Sequence, residues 1–325
     1  MTDLNLAFIL DPVAGLDPTH DSTVALMEAA QARGHRVWVT GIDQLGVEAS
    51  RAWARLTPLQ LKPVERLKHG WRAEPDWFCL GDPEALPLEK MDAVFMRKDP
   101  PVTTAYLYAT YVLDHVDSSI SRVLNAPSGL RAANEKMYAL QFESCIPRTI
   151  VSSSKEVIRE FVSREGRAVL KPLGGKAGEG ILFLEAGDRN LNSLIELSTG
   201  QGALPVMVQQ YLPEASQGDK RIILLNGEPI GAVNRIPSGG EFRGNMAVGG
   251  RAEAATLSDR DREICAAVAP TLRRDGLWFV GLDVIGGYLT EVNVTSPTGV
   301  REIDRFDGGC LGAEVMQWLE QHPLT

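Results

Sequence analysis

The chain has 325 residues with 44% hydrophobic and 23% charged side chains, a composition ordinary for a globular protein and long enough for two or three domains. A formal net charge of −9 argues against broad binding to nucleic acid. The longest apolar runs, such as "LAFIL" at Leu6–Leu10, are too short for a bilayer, and the N-terminal "MTDLNLAFILDPV" lacks a basic n-region, so no membrane association and a cytoplasmic location are expected.

In chain order, "NLAFILDPV" reads as a buried strand. Asp21 or Ser22 can cap a helix from Thr23 to about Arg33, Gly34 stops it, and "HRVWVT" is the next strand. This β-α-β unit implies a parallel sheet. "MDAVFMRKDPP" adds a strand with a polar, proline-rich tip, "TAYLYATYVLDHV" a helix, and "SRVLNAP" a short strand, so residues 1–125 are expected to form an α/β domain. "SGLRAANEKMYAL" reads as a helix carrying Lys136 in its first turns. Beyond it "SKEVIREFVSREG" is helical, and "AVLKPL" and "GILFLEA" are strands around a glycine-rich loop. "PVMVQQYL" is a strand, "DKRIILLNGEPIGAVNRI" a hairpin turning at Asn226-Gly227, "SDRDREICAAVAPTLRRDG" a helix, and a strand pair precedes a final helix. The expected architecture is an α/β and α+β fold, its parallel-sheet N-terminal domain followed by mostly antiparallel sheets.

Five histidines show no metal-binding spacing, no GxSxG is present, and the four cysteines are scattered without CxxC, which suits reduced thiols. "KPLGGKAGEGILFL" places Gly174, Gly175, Gly178 and Gly180 between two strands, with neither the Walker nor the Rossmann arrangement; backbone N–H groups there can approach a phosphate, with Lys171 just before the loop. Gln209, Gln210, Tyr211 and Leu212 end an apolar strand and can offer backbone groups to an adenine edge, although a buried strand end explains them equally. Asp283, Glu291 and Asn293 supply only hard oxygens, which suit Mg²⁺ rather than zinc. Glu291 and Asn293 share a strand face. A two-residue Gly286-Gly287 turn sets Asp283 opposite Thr290, whereas a bulged or longer loop sets it opposite Glu291. Pairing with nearby arginines is the alternative fate of these carboxylates.

Together these stretches resemble the bacterial glutathione synthetases of the ATP-grasp superfamily. The likeness runs through "LDPV", "VFMRKDPP", "YATYVL", "NAPSGLRAANEK", "LKPL", "QQYLP", "GDKRI", "RIPSGGEFRGNMAVGGR" and "FVGLDVIGGYLTEVNVTSPTGVREI". Where better-known members have "PLDGMGG", this chain has "PLGGKAGEG". The resemblance implies an ATP-grasp fold divided at 126–204 and 205–325. It implies an ATP-dependent ligase that joins γ-L-glutamyl-L-cysteine and glycine through an acylphosphate; another carboxylate–amine ligase, or an inactive nucleotide-binding relative, is the alternative. It puts ATP phosphates at Lys136 and Lys171, adenine at Gln209–Leu212, and ribose at Asp219. Mg²⁺ or Mn²⁺ goes to Asp283, Glu291 and Asn293, and the catalytic charges to Arg221, Arg235 and Arg243. Substrate contacts fall on Arg97 and Lys98 of "RKDPP", on Arg235, and on Ser296 and Arg301 of "SPTGVRE". Glycines from Gly239 to Gly250 let the Arg243 loop close over the intermediate. The family further implies a homo-oligomer, often a tetramer.

Overall fold

The computed structural model describes residues 3–175, 178–237 and 250–324. Strands Arg122–Leu124, Ala93–Met96, Asn5–Ile9 and Arg36–Thr40 lie side by side and parallel, as the β-α-β reading implies. Helix Ser22–Ala32 connects two of them and starts where Asp21 accepts hydrogen bonds from the Thr23 and Val24 N–H groups. The sheet extends to eight strands through the long antiparallel strand Arg51–Leu61, which also pairs with Leu45–Glu48, Phe78–Leu80 and Glu84–Pro87. None of those four was expected, although Ala52, Ala54 and Leu56 alternate in burial at a strand's period of two.

Four antiparallel strands, Thr149–Ser152, Val206–Gln210, Arg167–Pro172 and Leu182–Glu185, form a second sheet. Helix Lys155–Glu165, capped by Ser154, covers it with Ile158, Phe161 and Val162, giving this sheet a core of its own. The third sheet has five antiparallel strands in the order Arg251–Ala254, Glu228–Ile236, Asp219–Leu225, Phe279–Ile285 and Tyr288–Asn293. Its hairpin turns at Asn226-Gly227, both at positive φ (51° and 78°), the conformation for which Asn-Gly is suited. Helix Asp259–Arg274 starts with a Ser258 capping box and packs Ile264, Val268 and Leu272 near Ile222, Leu224 and Leu282. On the other side Ile223 and Val233 meet Val300, Ile303 and Met316 of the last two helices, Val300–Asp307 and Leu311–Gln321.

The first and third sheets share both larger cores: Ala7 and Ile9 belong with Ile222 and Leu282, and Phe8 with Ile223. The division expected at residue 125 falls between the first and second sheets, whereas strand Val206–Gln210 of the second sheet lies beyond the boundary expected at 204, and the packing joins the first and third sheets. Asn125 rivets them. Its side chain donates to the carbonyls of Phe279 (2.9 Å) and Val294 (2.8 Å) and accepts from the Phe279 N–H (2.8 Å), all buried. Asn125→Ala is expected to cost about 3 kcal/mol, because three buried backbone groups lose their partner. Urea unfolding measures it, and a cost below about 1 kcal/mol would mean that those groups find other partners.

One expected helix is broken. "SGLRAANEKMYAL" forms helix Pro127–Ala132 and a 3₁₀ turn at Met137–Gln141, with Asn134-Glu135-Lys136 crossing between them. All three of these side chains are occupied elsewhere, as described next.

Candidate active site

The third sheet presents a grid of charges on one face. Asp219 and Arg221, two residues apart on one strand, point the same way. Arg235 lies opposite Asp219, Asp283 opposite Arg221, and Glu291 opposite Asp283. Asn293, two residues beyond Glu291, lies opposite Gly281, where an added Cβ would come within 3.0 Å of the Arg221 and Pro297 side chains. The alternate residues Ile222, Leu282 and Val292 are buried in the core beneath. Both readings of the Gly286-Gly287 turn prove partly right. Ile285 pairs with Tyr288 across a two-residue turn, yet Asp283 still meets Glu291, because Thr290 is bulged. The bulge is used: Thr290 Oγ1 donates to the Asp283 carbonyl (3.2 Å), and the Thr290 carbonyl accepts from Lys171 Nζ (3.5 Å).

Asp283 takes the arginine-paired fate. Arg221 grips it with Nε (2.5 Å) and Nη2 (3.0 Å), Arg235 Nη2 adds a contact at 3.0 Å, and Asn293 Nδ2 another at 3.2 Å. Burial alone would raise its pKa, but the two guanidinium groups outweigh burial and hold the carboxyl well below the ordinary range. Arg235 also holds Asp219 Oδ2 at 2.6 Å. Burial pushes the Asp219 carboxyl up to about 6 against the pull of Arg235, and its Oδ1 is buried without a hydrogen-bond partner. Asp219, expected at the ribose, is thus committed to the grid through Oδ2; Oδ1 is the oxygen left for a ligand.

Across from the grid, Lys136 Nζ sits 3.1 Å from Glu291 Oε1. Lys171 is desolvated, which lowers its ammonium pKa against the opposing pull of Glu291 and Asp219. These groups line a cavity of about 770 Å³, within the range of small-molecule sites. Its walls also include Gly174, Gly175 and Gly178 of the loop and the strand end from Gln209 to Leu212, against apolar Val169, Ile181 and Ile285. Gly175 and Gly178 have φ of +91° and +79°, which only glycine adopts readily. Gly180 is not in the lining; its Cα faces the Pro172 ring, where a Cβ would approach to 2.8 Å. Gln209 turns its side chain to Thr149 (3.1 Å), whereas the Leu212 N–H has no acceptor among the described residues. The loop residues Lys176 and Arg243, and Gly239–Gly249, lie outside the described residues.

Ser296 lines the far end of the cavity, but Arg97, Lys98 and Arg301 do not. Arg97 is buried, donating to Thr23 Oγ1 (3.1 Å) and the Pro297 carbonyl (3.0 Å) over the Phe279 ring. Lys98 pairs with Asp11 (2.9 Å). Arg301 pairs with Glu28 (2.6 Å) and stacks on Trp71 (4.7 Å). Each thus has a protein carboxylate or carbonyl as a partner in this structure. Asp17, His20, Asp21 and Glu302 line that end instead, with His20 Nδ1 and Glu302 Oε1 3.0 Å apart, and Glu135 lines the centre. None of these five is a site candidate by sequence, where Asp21 serves only as a helix cap and "NEK" counts only for its lysine.

A cation would find hard oxygens here. Asn293 uses only Nδ2 internally, toward the Gly281 carbonyl and Asp283, so its Oδ1 remains open, and Glu291 is partly exposed. Asp283 already has four donors on its two oxygens and joins only by releasing one. Among the described residues no three His, Cys, Asp or Glu side chains form a metal cage by themselves. The donor set therefore fits Mg²⁺ bound through one or two carboxylates and substrate phosphates.

Residues 4–131 match the family described as prokaryotic glutathione synthetase, N-terminal domain, and residues 135–308 match its ATP-grasp domain. The glutathione synthetase of Thermosynechococcus vestitus is 68% identical, with 97% of this chain and 99% of the relative covered. That of Synechococcus elongatus is 66% identical over 98% of each chain. Among solved structures, D-cycloserine synthetase DcsG superposes with a TM-score of 0.65 at 17% identity, covering 98% of this chain and 99% of the other. The macrocyclase MdnC of Microcystis aeruginosa MRC, bound with precursor peptide MdnA, gives 0.62 at 16% identity over 98% and 99%. At such identities these two likenesses establish the ATP-grasp fold alone.

Proposed function

The chain belongs to the prokaryotic glutathione synthetase family, and on that premise we propose that its cleft joins γ-L-glutamyl-L-cysteine to glycine, converting ATP to ADP and phosphate and releasing glutathione. The observation that carries this reading is the row Arg221–Asp283–Glu291 facing Lys136 and Lys171 beneath a glycine loop, in a chain matched to named relatives from end to end.

Adenine is taken between Val169, Ile181 and Ile285, with its edge on the Leu212 N–H, and the triphosphate runs toward Lys136 and Lys171 under the loop's N–H groups. The cysteinyl carboxylate attacks the γ-phosphorus, the bond to the leaving ADP oxygen breaks, and an acylphosphate forms. The glycine amine then attacks the carbonyl carbon, a C–N bond replaces the C–O bond to phosphate, and the amine gives up a proton. Arg221 and Arg235 sit where charge develops on the phosphoryl and acyl oxygens, already oriented by Asp283 and Asp219. Cations and carboxylates in the grid nearly cancel, so a triphosphate of about four negative charges needs further positive charge. Mg²⁺ or Mn²⁺ held by Glu291 and Asn293, with Asp283, supplies that neutralisation when bound.

The test is a phosphate-release assay with γ-glutamylcysteine and ATP, with and without glycine. Glycine-dependent turnover yielding glutathione is expected; turnover with another amine and none with glycine would overturn the assignment. The small-molecule substrates are part of this reading, as are a cytoplasmic setting and a homo-oligomer, tetrameric by family analogy, which light scattering checks. No described helix is long and apolar enough to cross a membrane.

Arg243 is assigned to shielding the acylphosphate on sequence grounds, since "SGGEFRGNMAVGGR" surrounds it with glycines. Arg243→Ala should leave ATP binding near wild type but let the intermediate leak to water, so that less than one glutathione forms per ADP. Quantifying both products in one reaction checks this; a variant still coupled one to one removes the shielding role.

A further inference from the structure

Asn134, Glu135 and Lys136 are consecutive, and each side chain reaches a different part of the cleft. Asn134 Nδ2 donates to the Leu173 carbonyl at the base of the glycine loop (2.9 Å). Lys136 pairs with Glu291 on the outer strand of the grid (3.1 Å). Between them, Glu135 Oε1 accepts the Val294 N–H (2.9 Å), the Thr295 N–H (3.1 Å) and Thr295 Oγ1 (2.9 Å), while its carbonyl accepts the Val292 N–H (2.9 Å). A carboxylate receiving two successive backbone N–H groups and a hydroxyl is a strong, directional clamp. The residues it clamps join Asn293 to Ser296, that is, the hard-oxygen end of the grid to the loop at the far end of the cavity.

This side chain is an expensive choice if the fold alone needed it. It is half-buried within reach of the Glu291 charge, and desolvation first and then Glu291 raise its pKa against the three bonds at Oε1. Placing a second carboxylate beside Glu291 opposes stability. Among the described residues no cation pairs with Glu135, since Lys136 is turned to Glu291. What the carboxylate secures is geometry: a short chain segment held at one oxygen, midway between two ligand-contacting stretches.

We propose that Glu135 is a positioning residue that fixes the Glu291/Asn293 pair relative to the loop from Ser296 to Gly299, so that the phosphoryl donor and the acyl acceptor meet in register. It acts through Val294 and Thr295 rather than on substrate. The inference rests on the functional reading above and deepens it.

The experiment compares wild type with Glu135→Gln and Thr295→Val. Supporting groups of this kind typically shift affinity or activity about 10–100-fold. Glu135→Gln is therefore expected to raise the Mg²⁺ concentration for half-maximal turnover and the KM for γ-glutamylcysteine each by about 10-fold, with the glycine KM within about twofold. Calorimetric titration of Mn²⁺ into the ADP-bound protein reads the same loosening without turnover, and about 10-fold weaker binding is expected. Thr295→Val, which removes one of the three donors, should move each value the same way by a smaller factor, about threefold. A purely structural role would lower the melting temperature and the active fraction while leaving KM, Mg²⁺ requirement and Mn²⁺ affinity of the folded enzyme unchanged, and that result overturns the proposal. If Glu135→Gln does not fold, Thr295→Val decides, and unchanged values there overturn it equally. Wild type that makes no glutathione would instead sink the functional reading, while the Mn²⁺ titration still judges Glu135.

Discussion

Arg221→Met is expected to lower kcat by about 10²–10³-fold, the usual cost of removing one oriented donor of charge stabilisation, and to destabilise the fold as well. Arg221 is buried, holds Asp283 through two parallel bonds, and donates to the Thr298 carbonyl (3.1 Å) in the acceptor-side loop. Removing it leaves Asp283, among the described residues, with Arg235 as its one ion-pair partner and with Asn293. Breaking a buried pair from one side costs about 3–5 kcal/mol, chiefly because the other charge stays desolvated. A second substitution separates the two effects. Arg221→Met with Asp283→Asn removes the stranded charge, so stability should return in large part while turnover does not. Arg221→Lys should also be poor, since an ammonium cannot bridge both oxygens of Asp283 and Thr298 at once. Steady-state rates and urea unfolding on the three variants provide the check. Rates that recover together with stability would show that Arg221 serves only the fold.

Glu291→Gln is expected to reduce turnover by at least about 10²-fold while leaving the melting temperature nearly unchanged, because a neutral amide is a far poorer ligand for Mg²⁺ than a carboxylate. Glu291 is partly exposed, and the side-chain oxygen of a glutamine can still accept from the Lys136 ammonium that Glu291 pairs with, so the fold keeps that contact. The Mn²⁺ titration should show the defect directly as weakened binding. Unchanged turnover at saturating Mg²⁺ would remove Glu291 from the metal site. The contrast between the two substitutions follows from burial: Arg221 combines structural and chemical roles, whereas Glu291 is held where a ligand reaches it.

Much of the architecture was legible because its signals are local. Asp21 and Ser258 mark helix starts, Asn226-Gly227 marks a hairpin, and the β-α-β order marks the parallel sheet. Strand Thr149–Ser152, helices Leu191–Ser198 and Val300–Asp307, and the strands between Leu45 and Pro87 escaped the reading. These are short or mixed segments whose burial depends on partners remote in the chain. The helix expected through "NEK" failed for a related reason: Asn134, Glu135 and Lys136 satisfy acceptors and donors about 40 to 160 residues away, and those contacts outweigh local helix propensity.

For the site, the sequence by itself determined which chemical groups are present and their parity. Glu291 and Asn293 must face one way, as must Asp219 and Arg221, since a strand's period of two is set by its own backbone. Only the tertiary structure decided which strand slides against which. The Thr290 bulge, placing Asp283 on Glu291 rather than opposite Thr290, depends on burying Leu282 and Val292 together below while a two-residue turn closes above. The same packing set Arg97 against Thr23 and Pro297, and Arg301 against Glu28 and Trp71, contacts remote in the chain that "RKDPP" and "SPTGVRE" do not announce. Parity is local, but register is a comparison of whole packed arrangements, and a charged side chain goes where a buried partner repays its desolvation.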